Sequence, residues 1–182
     1  MKVALFTDSK LDGVLSISNK SKKKLLDVID ESSANRAIMS NVSKLQDGLL
    51  NGLDDRLEVI LMTSKIKVPV KIDYKSIGTL STDRLANAVF AAKFHPQKNV
   101  LVMDFGTCIK YDLVREDGTY LGGAIAPGLQ MRFKSMSKMT KRLPLIESWR
   151  NSEKIWPGKT TKGSMVAGVM QGVEAEILHY IE

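Results

Sequence analysis

Val100 to Gly128 reads VLVMDFGTCIKYDLVREDGTYLGGAIAPG, which packs an apolar strand, an acid-glycine-threonine turn, a hairpin and a glycine-rich approach to a helix into one short stretch. Val100 to Met103 is an apolar run of the kind that forms a buried strand, and it breaks at Asp104-Phe105-Gly106-Thr107. A carboxylate at a strand's end, a Gly that lets backbone N–H groups approach an anion, and a Thr hydroxyl able to donate to it suit a metal-phosphate pair. The same residues equally suit a plain strand-turn-strand with a capping Asp. Cys108 to Arg115 predicts the next strand, Glu116-Asp117-Gly118 its turn, and Thr119 to Ala124 the return. Pro127-Gly128 breaks the pattern before a helical stretch.

Around this stretch the chain has an ordinary globular composition. Its 182 residues, 43% apolar, are enough to bury a core as one domain or two small lobes. The formal net charge of +7 raises the question of nucleic acid. Against it, the basic residues are spread along the chain, aromatics are only 6%, and the one run, Lys20 to Lys24, opens an amphipathic helix. That run reads as a solvated face, so no nucleic-acid partner is expected. The single Cys108 excludes an intramolecular disulfide framework and fits a reducing compartment. One Cys and two His without ligand-like spacing argue against structural zinc. With no signal peptide or long apolar span in the sequence, a soluble cytoplasmic protein with no membrane partner is the expectation.

Upstream, Lys2 to Phe6 and Val14 to Ile17 predict a hairpin across a turn-rich Asp8 to Gly13. Lys22 to Glu31 predicts a helix, Arg36 to Val42 a strand, Lys44 to Leu50 a short helix, Glu58 to Met62 a strand, and Val68 to Ile72 an extended piece. Thr82 to Phe94 predicts a helix capped by Ser81 or Thr82, with Leu85, Val89 and Ala92 on one face. Downstream come a Met-rich helix through Met131, Met136 and Met139, a polar loop from Asn151 to Lys162, and a final helix from Gly163. In that last helix Gly168 and Gly172 allow another element to approach closely. Strands alternating with helices imply an α/β architecture.

The chain also echoes itself. Ile109 to Val114, a turn, and Tyr120 to Gly122 lie over Met1 to Phe6, a turn, and Gly13 to Leu15, each followed by a helix. The second copy has a strand and the Asp104 turn before its hairpin, and the first begins at the hairpin. Two lobes of similar plan are expected, residues 1–99 and 100–182.

Three blocks carry a resemblance to a known family: Tyr74 through Thr82-Asp83-Arg84-Leu85-Ala86-Asn87-Ala88; Asp104-Phe105-Gly106-Thr107 through Tyr120 to Leu129; and Leu143-Pro144 with Gly158 to Thr161. The sequence resembles the type III pantothenate kinases of the acetate and sugar kinase, Hsp70 and actin superfamily. The resemblance implies two ribonuclease H-like lobes, the first lacking its first strand and the second incomplete. It also implies a dimer with a shared active site, and ATP-dependent phosphorylation of the pantothenate hydroxyl, the first step of coenzyme A synthesis. Its cofactors would be ATP, magnesium and a monovalent cation, potassium or ammonium.

Mapped by motif, Asp83 would be the general base that accepts the hydroxyl proton, as phosphoryl transfer rests on positioning and charge neutralisation. Tyr74, Ser81, Thr82, Arg84 and Thr161 would face pantothenate, Gly106 and Thr107 the ATP phosphates, and Asp104 the metal. Gly122, Gly123 and Gly128 would line the pocket beneath the substrate. Simpler readings stand beside these: Asp83 as a helix-start acid favoured by the dipole, Tyr74 as a packed edge residue, Thr161 as an N-cap, and the glycines as hairpin geometry.

Four departures qualify the resemblance. The family's opening Asp-x-Gly-Asn-Thr phosphate loop and its closing strand with a glycine-rich segment do not occur within the 182 residues, which reads as a chain truncated at both ends. Ser81 stands where Gly is usual and threatens to crowd a turn that wants positive φ. Lys110 stands where Thr is usual, and reads either as a phosphate contact or as a side chain pointing to solvent. The alternative to a kinase is therefore a non-catalytic or decayed relative acting as a dimeric accessory or regulatory protein.

Overall fold

A computed structural model of the chain describes residues 1–18, 21–40, 53, 56–150, 152 and 155–182. The short helix expected over Lys44 to Leu50 lies outside the described residues. The chain divides into two compact units, Met1–Ile66 and Lys67–Glu182, so residues 67–99 pack with the later strands.

In the first unit, β1 (Lys2–Thr7) and β2 (Lys10–Ser16) form the expected antiparallel hairpin. The turn is tighter than Asp8 to Gly13, because Asp8 and Ser9 both take left-handed φ, 48° and 68°, and close it in two residues. Helix α1 (Lys22–Ser32) follows, and then β3 (Arg36–Met39) and β4 (Glu58–Leu61) pair in parallel. Buried Ile17, Leu25 and Leu53 collect Val3, Leu26, Ile29 and Val59 around them, the apolar side of α1 turned inward and its lysines Lys23 and Lys24 outward.

The second unit holds a four-stranded sheet in the order β5-β8-β7-β6: β5 (Lys71–Ile72), β6 (Val100–Phe105), β7 (Cys108–Val114) and β8 (Thr119–Pro127). β6, β7 and β8 run antiparallel in sequence order, and β5 pairs in parallel with β8. Asp117 and Gly118 make the β7–β8 turn, Gly118 at φ 78°, as the Asp-Gly signal predicts. Helices α2 (Thr82–Phe94), α3 (Leu129–Met139) and α4 (Thr161–Ile181) complete the unit. The two hairpins of the sequence echo are both antiparallel and each precedes a helix, α1 or α3.

Because side chains alternate along a strand, β7 serves two layers. Ile109 and Tyr111 pack on Val173 and Ile177 of α4 and on Leu129 of α3. Lys110 and Asp112 face the other way, toward α2. A second cluster joins Phe133 of α3 to Met165, Val166 and Val169 of α4, with Ile146 and Trp149 from the connecting segment. Bidentate Arg132–Glu176 contacts at 2.6 and 2.8 Å bind α3 to α4 at the rim.

Several boundaries move. β6 runs on through Asp104 and Phe105, so the Asp104 carboxylate projects from a paired strand position and the turn is Gly106-Thr107 alone. β8 continues to Pro127 because β7 offers partners as far as Cys108. The buried stripe of α2 is Leu85, Ala88 and Ala91, one residue round from Leu85, Val89 and Ala92. Small alanines let the helix sit close to the sheet, and fully burying Leu85 contributes about 1.5–3 kcal/mol. Among the described residues nothing lies within 4 Å of where side chains would stand on Gly168 or Gly172, so no described element packs there.

Candidate active site

Helix α2 begins above the middle of β7, and its first turn meets the strand residues that face it. Asp83 and Arg84 are consecutive on the helix, and Lys110 and Asp112 are two apart on one face of the strand. This spacing produces two charge pairs side by side: Lys110 with Asp83, and Arg84 with Asp112. β6 supplies a third carboxylate, since the β6–β7 register sets Asp104 directly opposite Lys110. The Lys110 ammonium donates to Asp83 Oδ2 and, at 2.7 Å, to Asp104 Oδ2.

This first group is half open. The side chains of Lys110, Asp83 and Asp104 are 18%, 32% and 38% exposed. Burial acts to raise the Asp83 carboxyl, but hydrogen bonds from Lys110, the Ser81 side chain and the Arg84 backbone N–H, with the charge of Lys110, hold it below its ordinary range. Burial likewise acts to lower the Lys110 ammonium, and Asp104 and Asp83 outweigh it and raise it. Asp83 and Lys110 are therefore both charged at neutral pH, and the Lys110 ammonium bridges the Asp83 and Asp104 side chains.

The second group is sealed. Arg84 is 4% and Asp112 0% exposed; Arg84 Nε donates to Asp112 Oδ1 at 2.8 Å, and Nη2 adds a charge contact at 2.7 Å. The Tyr120 hydroxyl donates to the same oxygen at 2.8 Å. Burial, and then the Asp112 carboxylate, push the Tyr120 phenol well up. The guanidinium carbon lies 5.6 Å from the centre of the Tyr74 ring and 5.9 Å from that of Tyr120.

The expected site residues distribute as follows. Asp83 and Asp104 come together through Lys110. Ser81 lies beside Asp83 in extended backbone, φ −70°, so the turn needs no glycine and Ser81 crowds nothing. Thr82 is buried in the first turn of α2. Arg84 is engaged by Asp112, and Tyr74 rests on Arg84 and Tyr120. Gly106 and Thr107 form the exposed β6–β7 turn. Thr161 is exposed at the first position of α4, and the capping role belongs to Thr160, whose Oγ1 accepts from the Gly163 N–H at 3.0 Å.

The glycines are explained by contacts within the chain. A side chain on Gly123 would stand 1.7 Å from the Tyr111 carbonyl oxygen, and one on Gly128 2.4 Å from the Gly106 and Thr107 carbonyls. Gly122, at φ 94°, leaves room for the Tyr74 ring. Gly128 thus holds the start of α3 against the Gly106-Thr107 turn, its N–H donating to Thr107 O at 3.0 Å. Beside that turn is a cavity of about 390 Å³ lined by Thr107, Gln130, Met131, Lys134, Ser135 and Lys138.

Sequence reasoning missed Asp112 and Tyr120, and it gave Lys110 neither of the partners it has. The signal was the period of two along β7, which put Lys110 and Asp112 on one face opposite two successive charged residues at a helix start. Among the described residues no group of three or more His, Cys, Asp or Glu gathers as a metal site, and no helix is long and apolar enough to cross a membrane.

Fold and site together define an α/β protein in which a helix-start carboxylate and a strand carboxylate share a lysine beside a glycine-threonine turn. The family model of the type III pantothenate kinases matches residues 2–182, and the chain belongs to that family. It is 41% identical over 142 residues to the type III pantothenate kinase of Christiangramia forsetii, covering 78% of this chain and 58% of the relative. To the protein of the same name from Bacteroides fragilis it is 38% identical over 181 residues, covering 99% and 74%. To that of Cytophaga hutchinsonii it is 32% identical over 183 residues, covering 100% and 75%. The chain thus spans between 58% and 75% of the length of these three relatives. A crystal structure described as a conserved putative Baf family transcriptional activator from Campylobacter jejuni shares the fold, with a TM-score of 0.58 at 22% identity over 93% of this chain and 72% of that one.

Proposed function

We propose that the chain phosphorylates pantothenate from ATP, as the name of its family and of its relatives indicates, and that it belongs to two-lobed, ribonuclease H-like kinases working in the cytoplasm. The observation that carries this reading is the placement of Asp83. It stands at a helix start, half exposed, held ionised by Lys110, Ser81 and the Arg84 N–H, within the block that resembles the family's substrate-binding segment. An ionised carboxylate there accepts the hydrogen bond of the pantothenate hydroxyl and orients it for in-line attack on the γ-phosphate.

Ser81 and Thr82 would bound the substrate on the helix side and Tyr74 on the other, with Arg84 fixing the tyrosine ring from below. Gly106 and Thr107 would meet the ATP phosphates, and the adjoining cavity, with Lys134 and Lys138 in its lining, supplies positive charge for them. Magnesium fits the donor set, since a carboxylate or two plus substrate phosphates hold it, and Asp104 is the residue that would face it. When bound it would neutralise charge on the transferring phosphoryl group. A dimer through α4 is part of the reading: Gly168 is open, and Leu178, Tyr180 and Ile181 are exposed near its end. Thr161 on the same helix would reach the partner's site.

The test is formation of 4'-phosphopantothenate from ATP and pantothenate, followed by mass spectrometry. Wild type should turn over, and Asp83→Asn should lose about 10²–10⁴-fold with its circular dichroism unchanged. Full turnover in Asp83→Asn removes the assigned base. A wild-type chain that binds pantothenate and ATP calorimetrically yet forms no product overturns the catalytic reading in favour of the non-catalytic relative.

A further inference from the structure

The family resemblance gives Asp104 to a monovalent cation or magnesium, and in the structure a lysine ammonium already sits on that carboxylate. The Asp104 carboxylate oxygen that faces the site already accepts from the Lys110 ammonium at 2.7 Å, and the same ammonium reaches Asp83. Lys110 is 18% exposed and comes from the strand position directly opposite Asp104, so a well-packed strand, rather than a mobile loop, delivers its charge. We propose that Lys110 is the resident monovalent cation of this site, and that the chain needs no potassium or ammonium ion at Asp104. The proposal rests on the reading of Asp83 and Asp104 as the site's working carboxylates.

The chemistry of the substitution is direct. An alkylammonium carries the same single charge as potassium and donates where potassium accepts lone pairs, so either one neutralises half of an Asp83–Asp104 pair. Two carboxylates with no cation between them repel, and in a partly desolvated site that repulsion is felt more than in water. A tethered cation also loses less freedom on occupying the site than an ion drawn from solution. Where threonine occupies this strand position, a hydroxyl cannot supply the charge and an ion must. Lysine here converts a requirement for salt into a property of the chain.

Thermal unfolding of the whole chain decides the matter, in potassium, ammonium or choline chloride at equal ionic strength. The wild type should show the same midpoint in all three salts. Lys110→Thr, with the smaller residue and a vacated cation position, should unfold at lower temperature in choline and rise with potassium or ammonium, the shift growing as the logarithm of one plus concentration over Kd. A saturable potassium-specific rise in the wild type overturns the proposal, and so does a folded Lys110→Thr protein that is indifferent to potassium. If Lys110→Thr does not fold, Lys110→Gln takes its place and the wild-type comparison still decides. Neither arm requires turnover, so failure to phosphorylate pantothenate refutes the kinase reading and leaves the cation result standing.

Discussion

Two charge groups lie side by side under the start of α2, and they differ in their access to water. Lys110 with Asp83 and Asp104 is half exposed, each carboxylate reachable from solvent. Arg84 with Asp112 is closed, roofed by Tyr74 and Tyr120. The two groups use neighbouring residues of one helix turn and alternate residues of one strand face. A group meant to exchange protons and ligands has to meet water, whereas a sealed pair contributes mainly geometry, because desolvation offsets most of its attraction. Asp112 makes the second role plain: Oδ1 takes Arg84 and Tyr120 while Oδ2 is buried with no hydrogen-bond partner among the described residues.

This contrast sets an order of expected effects. Arg84→Met should be the most damaging to stability, by about 3–5 kcal/mol, because it strands the Asp112 charge in the interior. Urea denaturation measures it, and a loss no larger than that of a surface pair would mean the pair is not sealed. Tyr120→Phe removes one donor from the same carboxylate and should cost about 1.5–3 kcal/mol in the same experiment. Asp83→Asn, proposed above to cut turnover, should change stability by at most about 1 kcal/mol, the range of an exposed ion pair. An equal stability loss in Arg84→Met and Asp83→Asn would erase the distinction between the two groups.

The smallest effect is in the acid dependence of the open group. Asp83 is held below its ordinary 3.8, so its contribution is fully present above that value and is lost as pH falls through its lower folded value. Lys110, raised above 10.5, contributes fully below that value and loses its share as pH rises through the raised one. Denaturation midpoints between neutral pH and pH 3 should fall less in Asp83→Asn than in wild type. Identical acid profiles would show that Asp83 makes no ionised contact in the native state.

Much of this was legible before any coordinates. The α2 boundaries, the Asp-Gly turn at Gly118, the first hairpin and the long final helix follow from local patterns that tertiary packing did not override. The Gly106-Thr107 turn was legible from its residues, and Asp83 and Asp104 were singled out through the family's motifs. The end of β6 was not, because the run looks broken at a carboxylate, and only pairing to Lys110 shows Asp104 to be within the strand. The capping threonine falls one residue earlier than the sequence suggests, because helix ends are hard to read: Thr160 and Thr161 are chemically alike, and the extended backbone of Thr160 and its bond from the Gly163 N–H mark it as the cap.

What the amino-acid order determined alone is most of the described elements and the family, since periodicity, turn residues and contiguous motifs are local along the chain. What only the tertiary structure decided is who holds whom. Lys110 reads as an odd residue at a threonine position until the β6–β7 register and the seat of α2 bring Asp104 and Asp83 to its ammonium. Asp83 and Arg84 are adjacent in sequence, and one step along the helix sends one to a partly exposed lysine and the other to a buried aspartate. Electrostatic roles depend on distance and on water, and neither is written in the chain until it folds.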